Sequence, residues 1–490
     1  MITYIFEAGV LTALIHSLVV LSVFIRIVMK RPAPGVALAW LLVVTLIPLL
    51  GVVLYLLVGE RRIGGHRLKM MRKLHKRQPG WIEKILDNEI TKVDWDRHLP
   101  ACRLMDQLGL ASGGIPTLSG SDLQLISDTQ EILRAIVKDI DGAKSTVHLL
   151  FYIWHPGGTA DEVVDAVLRA RKRGVRCRII VDAIGSAKWW KSDLRKKLQS
   201  AGVEVVLAMP TGLLRMLTSR NDLRLHRKIV VVDGEVAWTG SMNLVDPRFF
   251  KQDAGFGEWV DAMARIQGPA IEPLLIVLLS DFKIETGQSI DHLLETSDIK
   301  QLKPCGSSDV QVISSGPGEG HADDAILQMI LSMIYAAQDE IFITTPYFVP
   351  DDSMLRALRG AASRGVRVEL IVPAKVDSIL VRYASRSYFA ELMQAGVQIQ
   401  QFDGGLLHTK SITVDGSITM FGTVNLDMRS LWLNYEVTLF VYDKIWGNTI
   451  RDLQLSYLEQ CQPVDRLQWS ERSPLVRFME NLANLMSPLL

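Results

Sequence analysis

At 490 residues, with 48% hydrophobic and 22% charged side chains, the chain is too long for one ordinary core and unusually apolar for its charge content. The 54 basic residues against 53 acidic ones leave a net charge of +1, which excludes a globally basic nucleic-acid binder. The four cysteines, Cys102, Cys177, Cys305 and Cys461, are far apart and form no CxxC pair, so reduced thiols are expected and not a disulfide framework or a zinc site.

Much of the apolar excess lies in the first 58 residues. Residues 8–25 form an apolar run whose one ionisable side chain is His16, and residues 36–58 contain none. Each run approaches the length a helix needs to cross about 30 Å of hydrocarbon, and no small-residue cleavage site follows the first. A membrane helical hairpin over residues 1–60 is therefore expected. Arg26–Gly35, with Lys30, Arg31 and the Pro32/Pro34 pair, reads as its tight turn. Residues 61–118 form a basic juxtamembrane linker carrying Arg61, Arg62, Arg67, Lys69, Arg72, Lys73, Lys76 and Arg77. Positive charge there places the main body in the cytoplasm, although Arg26, Lys30 and Arg31 would then face outward. A shallow re-entrant hairpin removes that conflict, and the sequence does not decide between the two.

Beyond the linker the chain repeats itself. RGVRC at 173–177 recurs as RGVRV at 364–368, AGVEV at 201–205 as AGVQI at 395–399, and FYIWHP at 151–156 has its counterpart in PYFVPD at 346–351. In each copy a helical stretch (Asp128–Lys144; Asp323–Gln338) leads to a β-rich run (Thr146–Ile153; Glu340–Phe348). A second helix (Ala160–Arg173; Ser353–Arg364) then leads to an apolar strand (Arg176–Asp182; Arg367–Pro373). The alternation predicts two homologous α/β domains, 119–285 and 306–490, joined by a linker at 286–305. They are expected to pack face to face with the active site at their interface.

Each copy ends in the pattern H-x-K-x4-D-x6-G-[ST]-x-N. The first supplies His226, Lys228, Asp233, Gly240, Ser241 and Asn243, the second His408, Lys410, Asp415, Gly422, Thr423 and Asn425. On a strand, residues two apart share a face, so each His and Lys would project together. Asp-Gly at 233–234 and 415–416 is a hairpin signal. The returning strand would bring the Gly-Ser/Thr-x-Asn tip back to the His/Lys end, where an imidazole, a cation and neutral donors make a phosphate-reactive cluster.

The paired segments resemble the HKD motifs of the phospholipase D superfamily. The rest resembles the bacterial cardiolipin synthases with two N-terminal membrane helices, through SGPG at 315–318, TTPYFVP at 344–350, GGLLHTKS at 404–411, GTVNLDMRSLWLN at 422–434 and the MSPLL terminus. This resemblance implies a phosphatidyl transferase of the inner (cytoplasmic) membrane that joins two phosphatidylglycerols into cardiolipin with loss of glycerol. It needs no metal or other cofactor. Of the candidate catalytic set His226, Lys228, Asp233, His408, Lys410 and Asp415, His226 is implied as the nucleophile and His408 as the general acid/base; the sequence leaves the reverse open. The two lysines, Asn243 and Asn425 would hold the phosphate oxygens, with Ser241 and Thr423 as further hydroxyl donors. Asp233 and Asp415 fall at the hairpin turns and are expected to be structural.

A carboxylate behind each His would fix its tautomer. The candidates are Asp261 in EWVDAM and Glu436 in LNYEVT, on corresponding strands after the motifs, against the alternative of ordinary strand-edge carboxylates. Arg215, Arg220, Arg224, Arg227, Arg248 and Lys251 would suit two anionic lipids. Ser473–Leu490 reads as an amphipathic helix that lies either on the membrane or on the protein's own core. Competing functions are a phospholipase D hydrolase, a transferase using another alcohol, a superfamily nuclease, and a lipid-binding scaffold without catalysis. Two intact histidines argue against the last.

Overall fold

The structure is a computed structural model, and it describes all residues except 1, 33, 48, 61, 76–87, 113–114, 213–214, 216–218, 252–254, 319–322 and 488–490. Arg61, Lys76 and Arg77 of the basic linker thus lie outside the described residues. The chain divides into two units, Met1–Leu68 with Thr211–Asp222, and Lys69–Pro210 with Leu223–Leu490.

In the first unit, one helix spans Ile2–Lys30. The second apolar run is not one spanning helix. It forms Pro34–Leu46, then Leu50–Leu54, then a π-turn over Tyr55–Gly59, the helix being interrupted between Leu46 and Leu50, where Leu49 takes φ 58°. A 13-residue helix is about 20 Å long, short of a bilayer core. After the break the chain doubles back, so that Tyr55 packs edge-on to Trp40 (5.5 Å) and joins Val23, Ile27, Val44 and Val52 in a small core. The return brings Glu60 to Arg26, with Nη2 donating to Oε2 at 2.7 Å, and places the basic turn and the exit at one end. Among the described residues no helix is long and apolar enough to cross a membrane. Thr211–Asp222 lies inside the first α/β repeat by sequence but belongs to this unit, where Arg220 N donates to Arg62 O at 2.9 Å.

Among the described residues, the second unit holds twenty strands. The first repeat contributes β1 (Leu118–Ile126), β2 (Thr146–Phe151), β3 (Arg176–Asp182), β4 (Glu204–Ala208), β5 (Arg224–Leu225), β6 (Ile229–Val232), β7 (Val236–Gly240), β8 (Trp259–Val260) and β9 (Met263–Gln267). The second contributes β10 (Ser308–Ser315), β11 (Glu340–Thr344), β12 (Phe348–Val349), β13 (Arg367–Pro373), β14 (Gln398–Phe402), β15 (Leu406–Leu407), β16 (Ser411–Val414), β17 (Ile418–Gly422), β18 (Leu426–Asp427), β19 (Asn434–Tyr442) and β20 (Cys461–Pro463).

One sheet runs β20-β14-β13-β11-β16-β17-β19-β10-β1-β9-β7-β6-β2-β3-β4. Read outward from its centre, each half repeats the same order. The halves therefore join edge to edge, through antiparallel pairing of β1 with β10 (Leu118 opposite Val310), and do not stack as two face-to-face sheets. The reason is physical. An edge strand left open in each half would expose unpaired amides, and mutual pairing satisfies both rows.

The covering helices follow from local chemistry. Asp128 caps Thr129–Gly142 by accepting from Glu131 N (2.8 Å), and Asp351 caps Asp352–Ser363 by accepting from Met354 N (2.9 Å). Ile132, Leu133, Ile136 and Ile140 bury one face of the first of these helices. Ile271–Thr286 is apolar nearly all round because it sits in a core drawn from both halves, with Leu274, Leu278 and Phe282 beside Phe421, Val437 and Leu439.

Candidate active site

Each motif histidine sits where its chain leaves a short pairing with the other repeat and enters its own half of the sheet. β5 pairs in parallel with β19 of the other half, Arg224 opposite Asn434 and Leu225 opposite Tyr435. One residue further, the same register sets His226 opposite Glu436, and His226 N donates to Tyr435 O at 2.9 Å. β15 pairs in parallel with β8, Leu406 opposite Trp259 and Leu407 opposite Val260. The next step sets His408 opposite Asp261, with His408 N donating to Val260 O at 2.8 Å. His226–Lys228 and His408–Lys410 are therefore connectors between two pairings and not ladder residues.

The side chains carry out what the register allows. His226 Nδ1 lies 2.8 and 2.9 Å from the two Glu436 oxygens, and His408 Nδ1 lies 2.7 Å from Asp261 Oδ1. The carboxylate behind each imidazole thus comes from the opposite repeat. Because the carboxylate takes the Nδ1–H, Nε2 of each ring is left as the reactive nitrogen. Burial holds both imidazoles down to about 4, against the upward pull of their carboxylates, so both are neutral at pH 7. Asp261 and Glu436 are held below the usual carboxylate range: burial opposes this, but the paired imidazole and the neighbouring lysine outweigh it.

Ser241 and Thr423 hold those carboxylates. Ser241 Oγ donates to Asp261 Oδ1 at 2.6 Å, and Thr423 Oγ1 donates to Glu436 Oε2 at 2.5 Å. The preceding glycines permit this approach. A Cβ on Gly240 would fall 2.5 Å from Ala262 O, and one on Gly422 would fall 2.6 Å from Val437 O.

Lys228 and Lys410 are buried and fold back on the motif, their ammonium groups donating to His226 O (2.7 Å) and His408 O (2.5 Å). Burial lowers Lys228 to about 8 against the attraction of Glu436, Asp261 and Asp182. Burial also pushes Lys410 well below its ordinary value, with Lys228 adding repulsion. Two mutually repelling ammonium groups beside two imidazoles form a site that an anionic phosphodiester would relieve. Asn243 Oδ1 accepts from Ile153 N at 3.1 Å, while its buried Nδ2 has no partner in the protein; Asn425 Oδ1 is likewise unsatisfied. These amides are the neutral groups left over for a ligand.

Asp233 and Asp415 do different work. Both occupy left-handed backbone (φ 54° and 50°) at the hairpin turns, as Asp-Gly demands. Asp233 accepts the amides of Lys144, Ser145 and Thr146 at 2.8–2.9 Å and the Ser145 hydroxyl, and Asp415 accepts those of Gln338, Asp339 and Glu340 at 2.8–2.9 Å. Each clamps the helix-to-strand turn that opens its own half.

Several neighbours carried no motif signal. The Tyr152 ring packs edge-on to His226 (4.8 Å) and lies 5.6 Å from the Lys228 ammonium, while Trp259 lies over His408 at 4.3 Å. Buried Asp182 accepts from Leu225 N (3.1 Å), immediately before His226, and burial raises its carboxyl. Asp377 takes hydrogen bonds from Tyr347 Oη (2.6 Å) and Lys251 Nζ (3.0 Å), linking the loops of the two repeats. For Tyr152 the available clue was its place in the FYIWHP block, matching Tyr347 in PYFVPD. Asp377 had none.

The basic residues grouped as lipid partners are largely engaged inside the fold. Arg227 pairs with Asp281 (2.6 Å), Arg248 with Asp246 (2.7 Å), Arg220 with Asp222 (2.5 Å), and Arg224 lies 3.8 Å from Asp182. Buried guanidinium groups need such partners. No disulfide joins the cysteines, all four being free thiols.

A family model described as cardiolipin synthase, PLD-like domain, matches residues 136–254 and 330–457, one block in each repeat. A second, described as phospholipase D-nuclease N-terminal, matches residues 18–60. The cardiolipin synthase A proteins of Erwinia tasmaniensis and Yersinia pseudotuberculosis are each 42% identical over 473 residues, 96% of this chain and 96% of theirs. Among solved structures, the phosphatidylserine synthase of Haemophilus influenzae matches with a TM-score of 0.58 at 14% identity, covering 79% of this chain and 100% of that one, a likeness of fold. With both repeats matched and the identity running almost end to end, the chain belongs to the cardiolipin synthase family of the phospholipase D superfamily.

Proposed function

We propose that this phosphatidyltransferase joins two phosphatidylglycerols into cardiolipin and glycerol through a covalent phosphatidyl-histidine. The reading is carried by the reciprocal pairing of two buried imidazoles with carboxylates, beside two buried ammonium groups. His226 Nε2 attacks phosphorus, forming a P–N bond as the P–O bond to the departing glycerol breaks. His408 Nε2, protonated in the substrate complex, gives its proton to that glycerol oxygen. Neutral His408 then takes the proton from a glycerol hydroxyl of the second phosphatidylglycerol, whose oxygen displaces His226 and closes the second phosphodiester. The phosphate's negative charge raises both imidazoles from about 4, so a proton is available to His408 where the free protein has none. Lys228, Lys410 and Asn243 hold the non-bridging oxygens, while Asn425, whose unsatisfied atom is the acceptor Oδ1, takes a substrate hydroxyl. Glu436 and Asp261 fix the rings and stabilise their cations.

The first unit would hold the enzyme at the bacterial cytoplasmic membrane. Leu38, Leu42, Leu46 and Leu49, 60–70% exposed, suit hydrocarbon and not water. Arg62, Arg67, Lys69, Arg72 and Lys73, which follow the apolar run, suit anionic headgroups and a cytoplasmic catalytic unit. The re-entrant path of the second run lets this unit embed with both charged ends on one side.

Lipid product analysis of the purified chain in phosphatidylglycerol vesicles tests the reading, with His226→Ala and His408→Ala alongside. Cardiolipin and glycerol from the wild type and from neither variant are expected. Phosphatidic acid without cardiolipin would make water the acceptor and the protein a hydrolase.

A further inference from the structure

The C-terminal helix Pro474–Asn484 is amphipathic, but its polar stripe faces the protein. Glu480, 1% exposed, accepts from Arg386 Nε (2.8 Å) and Arg472 Nη1 (2.5 Å), and the Tyr388 hydroxyl donates to Asn484 Oδ1 (2.8 Å). The opposite stripe, formed by Leu475, Phe478, Met479, Leu482, Leu485 and Met486, is 42–76% exposed. A helix that docked only for its own protein's core would turn those side chains inward. Here the ion-paired glutamate fixes the helix in the reverse sense and leaves a continuous apolar strip outside.

We propose that this strip docks into the acyl region of a lipid bilayer and sets the active site at headgroup level. The proposal rests on the phosphatidyl transfer reading for the site's substrate. The helix packs on Ile379–Ala395, whose first residues Ile379 and Leu380 are 75% and 40% exposed. That second helix begins two residues after Asp377, which binds Tyr347 and Lys251 and is electrostatically coupled to His408. Apolar exposure thus extends from the terminal helix to the start of the helix that follows an active-site loop. Exposed Arg477 is carried on the terminal helix itself, and exposed Lys375 precedes Ile379 by four residues, cations that suit anionic headgroups. A second copy of the chain is a poorer occupant. The six side chains of the strip expose on the order of 600 Å² of accessible surface in a band one helix wide, short of about 800 Å² per partner in a stable dimer.

The test uses the full-length chain in phosphatidylglycerol nanodiscs, with Cys305→Ser and Cys461→Ser removing the more accessible thiols. A fluorophore on Phe478→Cys should be quenched by bromine on the lipid acyl chains, and one on exposed Lys196→Cys should not. Separately, the double variant Phe478→Ser/Leu482→Ser should lose about tenfold or more of its turnover on vesicles. It should keep wild-type turnover on short-chain phosphatidylglycerol dissolved as monomers. No quenching at Phe478→Cys, or equal loss on both substrates, overturns the docking. Cross-linking of Phe478→Cys between copies without quenching also overturns it, in favour of a chain–chain interface. Quenching at Phe478→Cys together with a wild type that makes no cardiolipin from either substrate instead defeats the transferase reading and leaves the docking standing.

Discussion

The two repeats share strand order, turn aspartates and motif lysines, yet they equip their histidines differently. His226 leans on a glutamate held by a threonine and has a tyrosine ring at its edge, whereas His408 leans on an aspartate held by a serine and has a tryptophan over its face. β3 ends in buried Asp182, which accepts the amide just before His226; the matching strand β13 ends in Pro373, which offers no side-chain acceptor. A near-symmetric frame therefore holds two imidazoles that need not behave alike. The differences cluster on the side chains touching the rings, which is where a nucleophile and an acid/base would be told apart.

The sharpest way to break the comparison is to remove each ring. His226→Ala and His408→Ala should each lower turnover by on the order of 10^4 to 10^6. Acid-quenched mass analysis should find no phosphatidyl-enzyme in the first. The second should make at most a slowly formed adduct that does not pass to the acceptor. The opposite pattern would exchange the two roles.

Next in size are the orienting carboxylates, whose effects should cross between repeats. Glu436→Gln should slow formation of the adduct, and Asp261→Asn both its formation and its breakdown, each by about 10^2 to 10^4, since an amide favours the wrong tautomer. Single-turnover measurements separate these steps. Defects that follow the repeat of the mutated residue would refute the reciprocal pairing.

A smaller effect is expected in the pH dependence. Protonation removes the nucleophile as pH falls through about 4, and loss of the Lys228 charge removes a phosphate ligand as pH rises through about 8. Profiles of kcat/KM should show an acid limb near 4 and should fall with rising pH, first because the free protein's neutral His408 must gain the proton it donates and then because Lys228 loses its charge near 8. The limbs of kcat should move upward, because bound phosphodiester favours both cations. An acid limb near 6.5 would mean solvated imidazoles. For folding the sign is the same as for a carboxylate with a lowered pKa. The unfolded chain binds more protons between 6.5 and 4, so the histidines' contribution to stability is complete above 6.5 and is lost on descending through that window.

The smallest difference concerns the turn aspartates. Asp233→Ala should cost about 2–3 kcal/mol and Asp415→Ala about 1–2, because Asp233 is the more buried and accepts an extra hydroxyl. Thermal unfolding with unchanged chemistry in the remaining folded enzyme would confirm a purely structural role.

Local chemistry made much of this legible in advance. Arg176–Asp182 and Arg367–Pro373 appear as strands with the expected bounds, and both Asp-Gly pairs fall in the hairpin turns, each of which leaves three residues between the paired strand ends. Asp261 and Glu436 were visible as candidates, but their partners were not. The pairing depends on parallel registers between β5 and β19 and between β8 and β15, contacts some 150 to 210 residues apart that leave no periodic trace. Hydroxyl donation by Ser241 and Thr423 to those carboxylates was hidden for the same reason. In the first unit, run length left a full crossing and a shallow re-entrant hairpin both open, while the interruption between Leu46 and Leu50 and the return to Trp40 follow from packing that hydropathy does not encode.

The antiparallel seam between β1 and β10 is the contact two identical subunits make across a twofold axis, each offering the other the same edge. A half-length ancestor using that seam would have had two identical histidines, each completed by its partner's carboxylate, and no means of improving one without altering the other. Joining the halves in one chain writes every position twice. Serine can then become threonine, and aspartate glutamate, on one side alone, and the two sides of the axis become free to specialise.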